Sequence, residues 1–243
     1  VPTPSPSVWL RPERPSRDRR LSRARIVARA VAILDAEGAR GLSMRRVAAD
    51  LGVTAGSLYW YVTTKDELLE LALDHVLGEV AADGEPRAAG WRDALGGLAR
   101  RHRAMLLRHP WVLSGLTGRP NLGPNALALA EAGLTILSRA GFSGGDLDAA
   151  LAAVNDHVVG AVTAETSWRA ALDRTGGGAE WRDRVAEHLR RIADEYPLLG
   201  ARMAAAGAEL DVDRECERRF AFALDCLLDG LEARRPSRRG DAE

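Results

Sequence analysis

Ser43–Val62, SMRRVAADLGVTAGSLYWYV, is the stretch whose reading decides the fold. Val47, Ala48 and Leu51 recur at helical spacing, and Gly52 follows as a left-handed stop. Thr54 can cap a second short helix, which carries Leu58 and Val62 four residues apart. Two short helices across a tight turn make a helix-turn-helix, in which the first helix braces the second inside a DNA major groove.

Upstream, Ile26, Val27, Ala30, Val31, Ile33 and Leu34 predict a helix from Leu21 to about Glu37, closed by Gly38. Downstream, Thr64 and Glu67 form a capping box that opens a helix running to about Ala82. Residues 83–90, DGEPRAAG, break it. Further helices are expected near 91–108, 110–117, 124–140, 144–171, 179–196 and 212–234, and no alternating strand pattern bounded by hairpin signals interrupts them. The expected fold is all-α: an N-terminal three-helix helix-turn-helix head joined to a helical-bundle body for ligand binding and dimerisation. The expected division is a flexible basic arm over 1–20, a DNA-binding domain over 21–82, an effector-binding and dimerisation domain over 83–235, and a tail over 236–243.

Charge supports that division. The 243-residue chain has no net charge, yet residues 1–65 hold eleven Arg and one Lys against five acidic residues, a surplus of +7 that the remainder cancels. A basic head on an acidic body suits a protein that meets phosphates at one end only. No apolar run reaches the roughly 18 residues of a membrane span and no secretory signal is seen, so the expected location is cytoplasmic. Cys216 and Cys226 are too few for a disulfide framework or a metal site and read as free thiols. There is no Gly-rich phosphate loop, nucleophile motif or metal-ligand spacing, so neither catalysis nor a cofactor is expected.

On an ideal wheel at 100° per residue, Leu58 and Val62 define the buried side of the second short helix and Trp60 falls opposite it. Tyr59 and Tyr61 flank it, one of them the better candidate to pack on the bracing helix, with Gly56 and Ser57 outward. Their phenol and indole donors suit phosphate oxygens, and ring edges suit thymine methyls. Trp60 or Tyr61 is therefore expected on DNA. Gly56 lets backbone approach closely, Arg45 can meet a guanine edge or a phosphate, and Lys65 is set for a phosphate.

At SLYWYVTTKDELLELAL (57–73), preceded by AEGARGLSMRRVAADLGV (36–53), the chain resembles the DNA-binding domain of the TetR family of one-component repressors. The body is similar to the tetracycline-repressor branch at RAMLLRHP (103–110), GFSGGDLDAALAAVNDHVVGAV (141–162) and FAFALDCLLDGLEA (220–233). The resemblance implies a homodimer packed through the helices near 144–171 and 212–234, an effector pocket in the body, and release from a pseudo-palindromic operator when a small molecule binds. By aligned position it implies DNA contacts from Arg45, Ala55, Gly56, Ser57, Tyr59, Trp60, Tyr61 and Lys65. Tetracycline repressors carry Gln-Pro where this chain has Ala55-Gly56 and His where it has Tyr61, which implies a different operator. Their metal-ligand His is matched by Gly115, their Asn and Phe ligand contacts by Leu98 and His102, and their metal-linked Glu by Ala164, with Glu165 one residue on; Arg119 and Pro120 are retained. That pattern implies an effector other than magnesium–tetracycline. Candidate effector contacts are Trp91, His102, Trp111, Arg119, Asn155, His157 and Trp168, the polar or aromatic groups nearest where such a pocket belongs. Two other readings share this sequence: an activator of the same family, and a helical dimer that binds a small molecule or partner without repressing.

Overall fold

The structure, a computed structural model, describes residues 7–10, 21–82, 90–115, 121–174, 179–193, 195–206 and 211–235, and among them every regular element is helical. Helix α1 (Arg23–Gly41) opens on Ser22, whose hydroxyl accepts from the Arg25 amide. Leu21 and Ile26 occupy the N′ and N4 positions of a hydrophobic staple, and both are buried. Burial of Ile26, Ala30, Ile33 and Leu34 fixes which face of α1 turns inward. At Gly38 the backbone takes φ +67°, so the regular helix stops where the sequence expects it to.

Helix α2 (Met44–Asp50) is capped by Ser43 and ends in a Schellman arrangement: the Val53 amide donates to Ala48 O and the Gly52 amide to Ala49 O, with Gly52 at φ +68°. Helix α3 (Ala55–Tyr59) is one turn long and is capped by Thr54. Helix α4 (Lys65–Ala82) begins with Thr64 accepting from the Glu67 amide. Glu67 reaches back to the amide of Thr63, one residue earlier than a standard capping box requires. The N-terminal half of α4 closes the head by packing on α1. Its C-terminal half runs into the body.

The body comprises α5 (Trp91–Arg108), α6 (Val112–Gly115), α7 (Pro124–Arg139), α8 (Gly144–Arg174), α9 (Ala179–Arg191), α10 (Pro197–Ala206) and α11 (Val212–Arg234). Val154, Val158 and Val162 on α8 and Phe220, Leu224 and Leu228 on α11 each repeat every four residues, and these two narrow stripes are buried. The segment expected near 110–117 is a single helical turn. The one expected near 179–196 breaks after Arg191, and α10 starts afresh at Pro197, a residue suited to a first helical turn. Asp74 on α4 caps α7 in trans, accepting from the Asn125 and Ala126 amides at 3.0 Å each. A Cβ on Gly123 would lie 2.0 Å from the Asp74 carboxylate, so only glycine fits there.

The expected flexible arm needs one correction. Val8–Leu10 form a 3-10 turn, Val8 is buried, and the Ser7 hydroxyl and the Val8 amide both donate to the Glu70 carboxylate on α4. Apolar Val8 and Trp9 overrode the polar composition around them. The rest of the arm, the tail over 236–243 and the breaks at 83–89, 116–120 and 175–178 lie outside the described residues.

Candidate nucleic-acid interface

Helix α3 is too short to hold itself, so its orientation comes from burial. Leu58 and Val62 are fully buried against the head core, with Val47 and Ala48 of α2 beneath them. Once these are inward, Thr54, Gly56, Ser57 and Tyr59 are exposed, and Tyr59 is the most exposed aromatic of the turn, at 47%.

The structure corrects the wheel at its end. Trp60 is half-buried and packs on the head core, and Tyr61 is buried at 8% exposure. Regular helix stops at Tyr59, and Leu58 O accepts from both the Tyr61 and the Val62 amides, a tightened last turn after which the chain leaves the helix. The ring aimed outward is therefore Tyr59, while Tyr61 serves packing.

Two arginines begin α2 with different fates. Arg46 pairs with Glu37 at 3.1 Å and Asp50 at 3.4 Å, and Asp50 also takes Arg29 of α1 at 2.6 Å. The hydrogen bond from Arg29, helped by the charge of Arg46, holds the Asp50 carboxyl below the usual carboxylate range. These ions brace α2 on α1. Arg45 is exposed and forms no ion pair with another described residue, which leaves its charge for an outside partner. Lys65 sends its ammonium to Ala39 O at 2.8 Å, tying α4 to the end of α1. Ala55 is half-buried, packed against the core. A Cβ on Gly56 would meet only Thr54 Oγ1, at 3.8 Å, so nothing among the described residues requires glycine there.

The described body candidates have partners on several different elements. Trp91 donates to Glu232 at 3.0 Å and meets Phe142 edge-on, joining the start of α5 to the end of α11. Trp111 is buried and donates to Asp35 of α1 at 2.7 Å, so it belongs to the junction between head and body. Asn155 is exposed on α8. His157 stacks on Phe220 at 5.0 Å, and Trp168 lies under the Arg219 guanidinium at 5.5 Å, both on the α8–α11 seam. Arg119 lies outside the described residues. His102 is the exception: it hydrogen-bonds to no other described residue, and burial pushes its imidazole down to about 4, so it is neutral near pH 7.

Sequence reasoning missed Arg103, which is buried and pairs with Glu165 at 2.8 Å and Glu217 at 2.5 Å, its guanidinium 4.9 Å from the centre of the Phe220 ring. The available signal was a charge on the apolar stripe Leu95, Ala99, Leu106 of α5. Among the described residues, no group of His, Cys, Asp or Glu could hold a metal ion, and no helix is long and apolar enough to cross a membrane.

Comparison with known proteins agrees with this architecture. Residues 26–72 match the family described as bacterial regulatory proteins, tetR family, and residues 83–235 match the tetracyclin repressor-like C-terminal domain. The chain is 44% identical over 227 residues to an HTH-type transcriptional regulator of Saccharopolyspora erythraea, covering 93% of this chain and 94% of that protein. It is 39% identical to the HTH-type transcriptional repressor DrrR1 of Streptomyces coeruleorubidus, over 97% of this chain and 87% of that one. Among solved structures, the Streptomyces coelicolor TetR family protein ActR in complex with actinorhodin is similar with a TM-score of 0.72 at 32% identity, covering 89% of this chain and 98% of that one.

Proposed function

The chain belongs to the TetR family of bacterial regulatory proteins, and from that premise we propose that it is a ligand-responsive transcriptional repressor that binds DNA as a homodimer. The observation that carries the reading is the outward surface of α3: with Leu58 buried, Gly56, Ser57 and Tyr59 face the solvent, and Arg45 on α2 is exposed with no ion pair to another described residue. Arg45 and Tyr59 are the principal DNA contacts, Gly56 and Ser57 admit the backbone, and Ala55, Trp60, Tyr61 and Lys65 hold the surface in shape. The protein acts in the cytoplasm, where its DNA is.

Residues 21–82 form the DNA-binding unit and 83–235 the effector-binding and dimerisation unit. Dimerisation uses the outer faces of α8 and α11, where Phe222 is 67% exposed beside Cys226 and Gly230. Two recognition helices then enter successive major grooves about 34 Å apart. The effector enters the body near His102, whose neutral ring can both donate and accept a hydrogen bond. The relative solved with actinorhodin supports a body that takes a ligand. Effector binding favours a head spacing that no longer fits the operator, and a coupling of about 1–3 kcal/mol per site is enough to weaken DNA binding several-fold. DNase footprinting upstream of the protein's own gene is expected to show a protected pseudo-palindrome; no protection there or at neighbouring promoters would overturn the proposal.

A further inference from the structure

At the junction of head and body, His109 sits between two carboxylates that belong to different elements. It lies between α5 and α6, is 3% exposed, and has its Nδ1 2.6 Å from Asp35 Oδ1 of α1. On the other edge of the ring, Nε2 is 3.2 Å from Glu79 Oε1 of α4. Trp111 Nε1 donates to the same Asp35 oxygen at 2.7 Å, and the Arg108 guanidinium takes the second Glu79 oxygen at 2.5 Å. The charged groups that face the ring are thus Asp35 from α1 and Glu79 from α4, with Arg108 from α5 behind Glu79.

We propose that His109 is a positioning residue: a proton-dependent latch that fixes the DNA-binding head on the body by bridging Asp35 and Glu79. A neutral imidazole owns one N–H and one lone pair, whereas the imidazolium donates from both nitrogens. Both edges here meet acceptor-only carboxylates. The charged ring therefore completes two bonds, one to α1 and one to α4. The neutral ring keeps one bond and turns a lone pair on the other carboxylate. Asp35 lies three residues before the left-handed Gly38 that ends the regular part of α1, so its bond holds the end of the head helix that runs into α2. Glu79 lies on α4 five residues beyond Asp74, the buried carboxylate that ties α4 to α7. Asp74 is therefore the fixed point and His109 the releasable one. Loss of the proton removes one of the two ring bonds and loosens the head about the Asp74 cap. The proposal rests on the chain working as a DNA-binding dimer, because only there does head orientation set function.

The test measures distance between nitroxide labels at Ala49→Cys on α2 and Glu131→Cys on α7, in a Cys226→Ser background and without DNA, with labelled protein diluted into unlabelled protein. All three positions are exposed. The wild-type latch is expected to give a narrow distance distribution near pH 6 and a broadened or shifted one near pH 8.5. His109→Gln is expected to give the broad distribution at both. Glu79→Gln is the sharper arm, because its amide can accept from the charged ring or donate to the neutral one; its distribution should stay narrow at both pH values. A wild-type distribution that does not change with pH overturns the latch, as does a Glu79→Gln protein that keeps the wild-type pH response. Should His109→Gln fail to fold, Glu79→Gln alone decides. With no DNA present, a failed latch leaves the footprint unaffected, and a missing footprint leaves the distances unaffected.

Discussion

Tyr59 and Trp60 are neighbours in the chain with opposite surroundings, and two substitutions separate their roles. Tyr59→Ala removes an exposed ring and should weaken operator binding by about 1–3 kcal/mol, as expected for lost contacts to a base edge or phosphate, while the thermal midpoint stays put. Trp60→Ala removes a ring packed on the head core and should lower the urea midpoint; gel shift and denaturation on both variants tell the two apart. The wheel identified Leu58 and Val62 as inward, and they are fully buried, because two aliphatic side chains one turn apart leave little choice. It misassigned Trp60 because the side opposite Leu58 and Val62 is still covered by other parts of the fold at the end of so short a helix, which a wheel of one helix does not show. His102 carries a second prediction. Its imidazole is held near 4, below its ordinary 6.5, so the unfolded chain binds the proton more readily between those values. Stability is then full above about pH 6.5 and is lost as pH falls towards 4. Urea unfolding at about pH 5 should show a loss near 2 kcal/mol relative to pH 7 from this group, and His102→Leu should remove that part of the pH dependence. An unchanged profile in the variant would put the ring in solvent.

Elements here are shaped as much by their ends as by their faces. Gly52 shows this: its φ of +68° and the open space around it mean that a methyl group costs backbone strain and nothing else. Gly52→Ala should therefore destabilise the head by about 1–2 kcal/mol in urea unfolding, with no change in the contacts of α3 to its core. Caps and glycine stops of this kind were legible in Gly38, Gly52, Thr54 and Thr64, because each acts on backbone within a few residues. The trans cap by Asp74 and the Arg103–Glu165 pair were not, because their partners are some fifty to sixty residues away. Arg103 stands among several arginines of α5, and nothing near it in the sequence names its partner. Its partner Glu165 has a side chain only 2% exposed, so Glu165→Ala should cost about 1–3 kcal/mol by removing one of the two carboxylates on a buried guanidinium, with Glu217 keeping the other bond, whereas the paired change Arg103→Leu with Glu165→Leu should cost less. A double-mutant cycle in urea measures the difference.

For the whole molecule, the neutral total charge conceals a basic N-terminal end and an acidic remainder, and the proposed pairing of two copies uses the outer faces of α8 and α11. Phe222 stands 67% exposed on a helix whose opposite face fills the core, so Phe222→Asp should yield monomers in sedimentation velocity and lose most operator affinity, each half-site being too weak alone. The body candidates drawn from the sequence scatter over the seam, the junction and the surface. An effector site is assembled from many elements, and a list of polar and aromatic residues says nothing of which elements meet. Head and fold were legible because local spacing specifies them. The claim on which the rest depends is that two copies read one symmetric DNA site through α3. Selection of duplexes by the purified protein from a random library tests it most directly. Enrichment of a two-fold symmetric sequence, with half-site centres about one helical turn or slightly more apart, is the predicted result; a pool without any shared sequence, or an isolated half-site without its mate, would contradict it.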